Sequence, residues 1–221
     1  MYMKINIAID GPSAAGKSTI AKLLAKQLGY SHLDTGAMYR CVAYQSIRQG
    51  IDEKDEEALA AMIDAMHIDF DSEGHVFINR EDVSKEIRQN QVSMLASNVS
   101  VFPCVRERLV KMQQEIAKNK GYIMDGRDIG TVVLPDAELK VFMVASVEAR
   151  AKRRYDEYIQ KGIDADYETI YEDIKKRDYQ DTHRLISPLK KAEDAIELDT
   201  SQMSIEEVKT AIEKMLASIS K

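Results

Sequence analysis

The spacing of apolar residues changes period many times along this chain, and each change marks an element. Ile5-Asn6-Ile7-Ala8-Ile9-Asp10 is a short apolar run that predicts a buried strand. Ile20, Leu23, Leu24 and Leu28 then fall on one helical stripe that Gly29 stops. Tyr30–Leu33 predicts a brief second strand, Ala37–Gln49 a helix closed by Gly50, and Asp55–His67 another helix. The period shortens at Ile68-Asp69-Phe70-Asp71 and His75-Val76-Phe77-Ile78. With Ser72-Glu73-Gly74 between them, these runs predict a β-hairpin inserted into a βα alternation. Two helices are expected next, over Lys85–Val101 and Pro103–Lys118. Tyr122–Asp125 and Leu139–Ala145 read as buried strands. Helices over Val147–Lys161 and Asp166–His183 flank a hinge at Gly162-Ile163-Asp164. Ala195–Leu198 gives a last strand, and Ser204-Ile205-Glu206-Glu207 is a capping box that opens the final helix.

These elements sum to an α/β protein with a parallel sheet of about five strands and helices on both faces. Ligands of such folds bind beyond the carboxyl ends of the strands. The loops after Asp10, Leu33, Asp125 and Ala145 are therefore expected on one rim. A length of 221 residues with 44% apolar content fits one domain with a substantial core. The net charge of −6 argues against a protein that coats nucleic acid. Lys4, Asn6 and Asp10 interrupt the first apolar run, so neither a signal peptide nor a membrane span is expected, and the protein is read as cytoplasmic. Cys41 and Cys104 have no pairing or metal motif, and His32, His67, His75 and His183 have no metal spacing.

Candidate chemistry begins between the first strand and the first helix. Gly11-Pro12-Ser13-Ala14-Ala15-Gly16-Lys17-Ser18-Thr19 is a phosphate-binding P-loop in the required context of strand, glycine-bounded loop and helix start. Its glycines let successive N–H groups curl around a phosphate. Lys17 adds charge for the outer phosphates, and Ser18 offers a hydroxyl to Mg²⁺. A nucleotide-binding protein is the starting expectation.

Three further groups of polar residues fall on the same rim or beside it. Asp34-Thr35-Gly36-Ala37-Met38-Tyr39-Arg40 suits a second phosphate site, or equally a plain helix cap with a solvated arginine. Asp125-Gly126-Arg127-Asp128-Ile129-Gly130-Thr131 puts Asp125 where a carboxylate holds Mg²⁺ directly or through water. A local ion-paired turn is the other reading of that stretch. In the helix from Val147, the spacing places Val147, Ala151, Tyr155, Tyr158 and Ile159 on the packing side. Arg150, Arg153 and Arg154 fall mainly on the other side, as a cationic lid over phosphates or as a wet basic face. Arg177, Asp181 and Arg184 share one helix face, where salt bridges account for them as well as a site does.

Taken together, these segments resemble the bacterial cytidylate kinases, which are nucleoside monophosphate kinases of the P-loop class. The likeness rests on the P-loop, on Asp34–Arg40, on Asp125-Gly126-Arg127-Asp128-Ile129-Gly130-Thr131-Val132-Val133, and on Arg177-Asp178 with Asp181, Arg184 and Ser187-Pro188-Leu189. It runs nearly the whole length of the chain, and the hairpin is similar to the insert of the bacterial enzymes. The resemblance implies a P-loop NTPase-type three-layer fold forming a single kinase domain over residues 1–221. Within it, 37–100 is the monophosphate-binding region with its β-containing insert, 149–166 the helical lid, and the remainder the core. It further implies transfer of the ATP γ-phosphoryl group to CMP or dCMP with Mg²⁺. Gly11 to Thr19 would bind ATP. Thr35, Tyr39, Arg40, Ser97, Arg106, Arg127, Asp128, Arg177, Asp181 and Arg184 would bind CMP, with Ser97, Arg106 and Asp128 toward cytosine. Arg40, Arg127 and Arg184 would surround the acceptor phosphate. With Lys17, and with Arg150 and Arg154 on the lid reading of their helix, Arg127 and Arg184 are the expected catalytic residues, and Ser18 and Asp125 the expected metal ligands. Some relatives carry glycine at the position of Ser18, which leaves open whether its hydroxyl ligates Mg²⁺ directly.

An ionised phosphate acceptor needs no general base, so positioning and charge neutralisation would carry an in-line transfer behind a closing lid. The expected partners are small nucleotides, without nucleic acid or membrane, and the chain is expected to be a monomer. A P-loop kinase for UMP, AMP or a metabolite is the neighbouring alternative. A GTPase-like switch fits less well, because Asn119-Lys120 continues as Gly121-Tyr122 and not as a guanine-reading motif. The candidate Asp-x-x-Gly, Asp71–Gly74, lies in the hairpin.

Overall fold

The computed structural model describes residues 4–71 and 73–219. Ser72, in the expected hairpin turn, lies outside the described residues. In chain order the elements begin with β1 (Ile7–Asp10), α1 (Lys17–Leu28), β2 (Ser31–Asp34), α2 (Thr35–Gln49), α3 (Glu56–Asp64), β3 (Ile68–Phe70), β4 (Val76–Ile78) and β5 (Glu81–Asp82). They continue with α4 (Asn90–Val99), α5 (Pro103–Ala117), β6 (Tyr122–Gly126), β7 (Leu139–Val144), α6 (Val147–Gln160), α7 (Tyr167–His183), β8 (Ile196–Asp199) and α8 (Ile205–Ile219). The chain divides into two compact units, one formed by the segments before Ser31 and after Asn119, the other by Ser31–Asn119.

A five-stranded sheet of order β2-β6-β1-β7-β8 bears out the α/β reading. Pairing is parallel between β1 and β6, β1 and β7, and β7 and β8. Every residue of β1 is buried, as expected for a central strand covered on both faces. Ile20, Leu24, Val208 and Ile212 from α1 and α8 pack with Ile7, Ile9, Ile123, Val141 and Met143 of the sheet. The register opposes Asp10 to both Gly126 and Phe142, which brings the carboxyl ends of β1, β6 and β7 side by side. A chain that crosses from one side of β1 to the other leaves a crevice at that point, where α/β proteins bind ligands. Beyond β7, α6 and α7 pack on each other around Ala151, Ile170 and Ile174.

In the other unit, α2 packs on α4 and α3 on α5. The insert differs from the expected hairpin by one strand. Asn79 and Arg80, at φ 50° and 74°, make a tight turn from β4 into β5, and β3-β4-β5 is a three-stranded sheet. That turn geometry usually calls for Asn-Gly, so Asn-Arg concealed it. The helix expected over Lys85–Val101 is also divided. A 3₁₀ turn at Glu86–Arg88 buries Ile87, Gln89 is extended, and α4 starts only at Asn90.

Candidate active site

At the end of β1 the chain turns through Gly11 at φ 150°, where a Cβ would lie 2.1 Å from the carbonyl oxygen of Met143. Only glycine fits so close an approach. Ala14 is left-handed at φ 59°, and Gly16 begins α1 at φ 91° without a side-chain cap. The positive end of α1 thus points its first N–H groups at the loop without a side chain across them, as phosphate binding requires. Pro12, Ser13, Ala15 and Gly16 belong to this loop, and Thr19 sits exposed in the first turn of α1.

Lys17 is buried and donates to the carbonyl of Pro12 at 2.7 Å. Burial, and then the neighbouring Arg127, press its ammonium down to about 7 against the pull of Asp125, Asp10 and Asp181. A phosphate arriving beside it would relieve both effects. The Ser18 hydroxyl donates to Asp125 Oδ2 at 2.7 Å, so an alcohol and a buried carboxylate stand together at the ends of α1 and β6. Oxygen donors of this kind suit Mg²⁺, which keeps much of its shell for water and phosphate and takes only one or two protein ligands.

After β6 the charges interlock. Arg127 Nε donates to Asp181 Oδ2 at 2.6 Å, and Arg184 Nη2 lies 3.8 Å from Asp128 Oδ1. Burial alone would depress the Arg127 pKa, but Asp181 first, then Asp125 and Asp178, raise it, so the guanidinium stays charged. Asp181 is buried, and Arg127, Arg177 and Arg184 nevertheless hold its carboxyl below the usual carboxylate range. The stretch read as a loop after Asp128 is a π-helical turn, Ile129–Val133. Asp10 Oδ1 accepts from the N–H of Ile129 at 2.8 Å, and Asp10 Oδ2 from the N–H of Gly130 at 2.7 Å.

Of the two readings of the α6 arginines, the wet basic face does not hold. Arg150 is buried, donating through Nε to Ala145 O, through Nη1 to Ser13 O at 3.2 Å, and through both ends of its fork to Asp178. Arg153 and Arg154 are half-buried. Arg154 Nη2 donates to Ser13 Oγ at 3.1 Å, and Arg153 reaches Ala15 O and Thr200. Ile159, expected on the packing side, is 52% exposed. The wet-face reading fails because these arginines meet the P-loop, Arg150 and Arg153 at the carbonyls of Ser13 and Ala15 and Arg154 at the Ser13 hydroxyl. Ala14 itself packs against the α6–α7 cluster.

In the Ser31–Asn119 unit, Asp34 caps α2 by accepting from the N–H of Ala37 and pairs with Arg40 at 2.7 Å. The helix cap is present, and Arg40 is ion-paired on the same carboxylate where the plain-cap reading left it solvated. Thr35 is buried in the first turn of α2. The Arg106 guanidinium lies 5.6 Å from the centre of the Tyr39 ring and donates to Ser100 O at 3.2 Å. Ser97 is buried, and its Oγ has no hydrogen-bond partner among the described residues. Buried hydroxyls rarely go unpaired without a functional reason.

The sequence profile of the cytidylate kinase family matches residues 7–221. The chain belongs to the cytidylate kinase family. A cytidylate kinase of Caldicellulosiruptor bescii is 56% identical over 208 residues, covering 93% of this chain and 92% of its own. One from Streptococcus agalactiae is 53% identical over 95% of this chain and 94% of its own, and one from Streptococcus mutans 51% identical over 98% of each. Among solved structures, a gluconokinase from Sinorhizobium meliloti aligns with TM-score 0.51 at 11% identity, over 100% of this chain and 95% of its own. At that identity the likeness speaks for the fold alone.

Within this cytidylate kinase framework, the sequence reading missed Asp10, Lys140 and Thr200 as members of the site's surroundings, and it named Asp178 without giving it a role. Lys140 carried a usable signal, since a charged residue inside an apolar strand demands a partner. It is buried and bonds Pro135 O and Asp194. Thr200 carried none, because its partners Ala15 and Val144 are remote in sequence.

Proposed function

We propose that this chain transfers the γ-phosphoryl group of ATP to CMP or dCMP, giving ADP and CDP or dCDP, by direct in-line transfer with Mg²⁺. Phosphoryl transfer from ATP follows from membership of the cytidylate kinase family. The observation that carries the reading is the adjacency of strands β1 and β6. Asp10 stands in register with Gly126, so the P-loop and the Asp125–Asp128 segment leave neighbouring strand ends.

Gly11 to Thr19 cradles the ATP phosphates, with Lys17 charged once they arrive. Ser18 and Asp125 would hold Mg²⁺, directly or through water, and the ion would supply charge neutralisation on the phosphates. Arg127 and Arg184 orient the acceptor phosphate, and Arg150 and Arg154 add positive charge beside the P-loop. Arg177 and Asp181 attend the sugar and phosphate. Thr35, Tyr39 and Arg40 contribute to monophosphate binding, and Ser97 and Arg106 offer donors to the pyrimidine edge. Asp128 accepts from the cytosine amino group, where uracil would present a repelling carbonyl. The acceptor phosphate is largely dianionic near neutral pH, so no base is required, and water must be kept from competing with it. We assign the lid role to residues 149–166 and the monophosphate-binding region to residues 37–100. Among the described residues no helix is long and apolar enough to cross a membrane. We read the enzyme as a cytoplasmic monomer.

The test is ADP formation from MgATP with CMP, dCMP, UMP and AMP in parallel. Highest turnover with the cytidine nucleotides is expected. Activity with none of the four overturns the reading, and best activity with AMP redirects it to another P-loop kinase.

A further inference from the structure

We propose that Asp10 is a positioning residue for the acceptor, fixing the turn that carries Arg127 and Asp128 to the end of the strand that carries the P-loop. This rests on the CMP kinase reading above and names a residue to which that reading gives no role. Asp10 closes β1, immediately before Gly11. Its two carboxylate oxygens take separate N–H groups, Oδ1 that of Ile129 at 2.8 Å and Oδ2 that of Gly130 at 2.7 Å. These are the first two residues of the π-helical turn, directly after Asp128.

The turn is also held from its far side. A Cβ on Gly130 would meet the Lys140 stem at 3.1 Å and Asp10 Oδ2 at 3.4 Å, so the backbone is clasped between the carboxylate and the lysine methylenes. The Lys140 ammonium in turn bonds Pro135 O, just beyond the turn, and Asp194. π-Helical turns are rare and cluster at functional sites, and this one is pinned at its first two amides.

Burial makes a carboxylate at position 10 costly and, with Asp128 nearby, pushes its pKa up to about 6 in spite of the two N–H bonds. An asparagine would avoid that cost but offers one acceptor oxygen for two N–H groups that approach separate oxygens. The chain keeps the costly group where it ties the donor-side strand to the acceptor-side turn. Because both Asp10 oxygens are taken by amides of the turn, its loss should misplace Arg127 and Asp128 while the P-loop amides and Lys17 stay in place.

The experiment compares Asp10→Asn, Asp10→Ala and Gly130→Ala with the wild-type enzyme. Gly130→Ala crowds the same turn without removing a charge. Expected is a fall in kcat/KM for CMP of about tenfold to a hundredfold in all three. The preference for CMP over UMP should fall by about tenfold, with Asp10→Asn milder than Asp10→Ala. KM for MgATP should move less than KM for CMP in the Asp10 variants, whose charge Lys17 feels, and stay unchanged in Gly130→Ala. Amide hydrogen exchange should show Ile129 and Gly130 protected in the wild type and losing protection in Asp10→Asn. An equal rise in KM for MgATP would assign Asp10 to the P-loop instead. Unchanged CMP parameters, or retained protection of both amides, would overturn the proposal. Should Asp10→Ala not fold, Gly130→Ala and Asp10→Asn decide. A wild-type enzyme inactive toward CMP would count against the function and not against this contact, which the exchange experiment reads separately.

Discussion

Arg150 and Asp178 meet fork to fork between α6 and α7, with Nη1 2.9 Å from Oδ1 and Nη2 2.6 Å from Oδ2. The same guanidinium reaches Ser13 O and Ala145 O, so one side chain joins α7, the P-loop and the end of β7. Arg150 is buried while Asp178 keeps 23% of its side chain exposed, so loss of the arginine strands its partner only in part, and Arg150→Ala is expected to destabilise the fold by about 2 kcal/mol. Arg150→Lys should recover only part of that, since an ammonium lacks the flat fork that serves all three partners. Thermal unfolding of both variants and of Asp178→Ala, read as a double-mutant cycle, checks this. Additive effects would show that the two side chains are not coupled.

Asp34 gives the Ser31–Asn119 unit an acid-sensitive contact. Burial opposes its ionisation, but Arg40 first, then His32 and the N–H of Ala37, hold its carboxyl down to about 2. A carboxyl depressed in the folded state adds stability above its unfolded pKa of 3.8 and loses it as pH falls through the folded value. The contribution is about 2 kcal/mol at neutral pH, fading between about pH 5 and pH 2. Asp34→Asn keeps an acceptor for the helix cap while removing the charge. It should be less stable than wild type at pH 7 and equal to it near pH 2, as measured by urea midpoints. A constant gap across that range would exclude the ion pair as the cause.

What the sequence made legible follows from how local each signal is. The alternation of apolar runs with helical stripes specified β1, α1, β6, β7 and α8, because each owes its pattern to burial along its own length. The P-loop was readable because its glycines answer to backbone geometry within nine residues. For Arg150 only the wet-face alternative fails, because it assumes that a charged face meets water, and here the guanidinium meets the carbonyl of Ser13 and the carboxylate of Asp178. Asp10 looked like a plain strand end because its partners lie 119 and 120 residues away. The strand at Glu81–Asp82 was invisible for a different reason, since two exposed acidic residues carry no strand preference and only pairing with β4 creates it.

The hydrogen bond from Ser18 Oγ to Asp125 Oδ2 links the two residues proposed for Mg²⁺. If the serine only orients the carboxylate, or binds the ion through water, Ser18→Ala should raise the Mg²⁺ concentration needed for half-maximal rate by about tenfold and leave KM for CMP unchanged. Asp125→Asn should be more damaging, because it removes charge where the ion binds. Initial rates across a Mg²⁺ series at fixed ATP separate the two variants. Equal sensitivity to Mg²⁺ in wild type and both variants would remove this pair from the metal site.

In the proposed acceptor site, Asp128 is the residue assigned to distinguish cytosine from uracil. It is buried, and Arg184 Nη2 is 3.8 Å from its Oδ1, so the carboxylate is held in place before any nucleotide arrives. Cytosine offers an amino donor at N4 and uracil a carbonyl acceptor at the corresponding position, so an ionised carboxylate attracts the first and repels the second. Asp128→Ala removes attraction and repulsion together, and the ratio of kcat/KM for CMP to that for UMP should fall by about tenfold to a hundredfold, corresponding to about 1–3 kcal/mol. Asp128→Asn behaves differently, because its amide can turn a donor toward uracil. Absolute activity with UMP should therefore rise in Asp128→Asn and not in Asp128→Ala. Steady-state ADP formation with both nucleotides gives the ratio, and an unchanged CMP-to-UMP ratio in Asp128→Ala would show that base selection lies elsewhere.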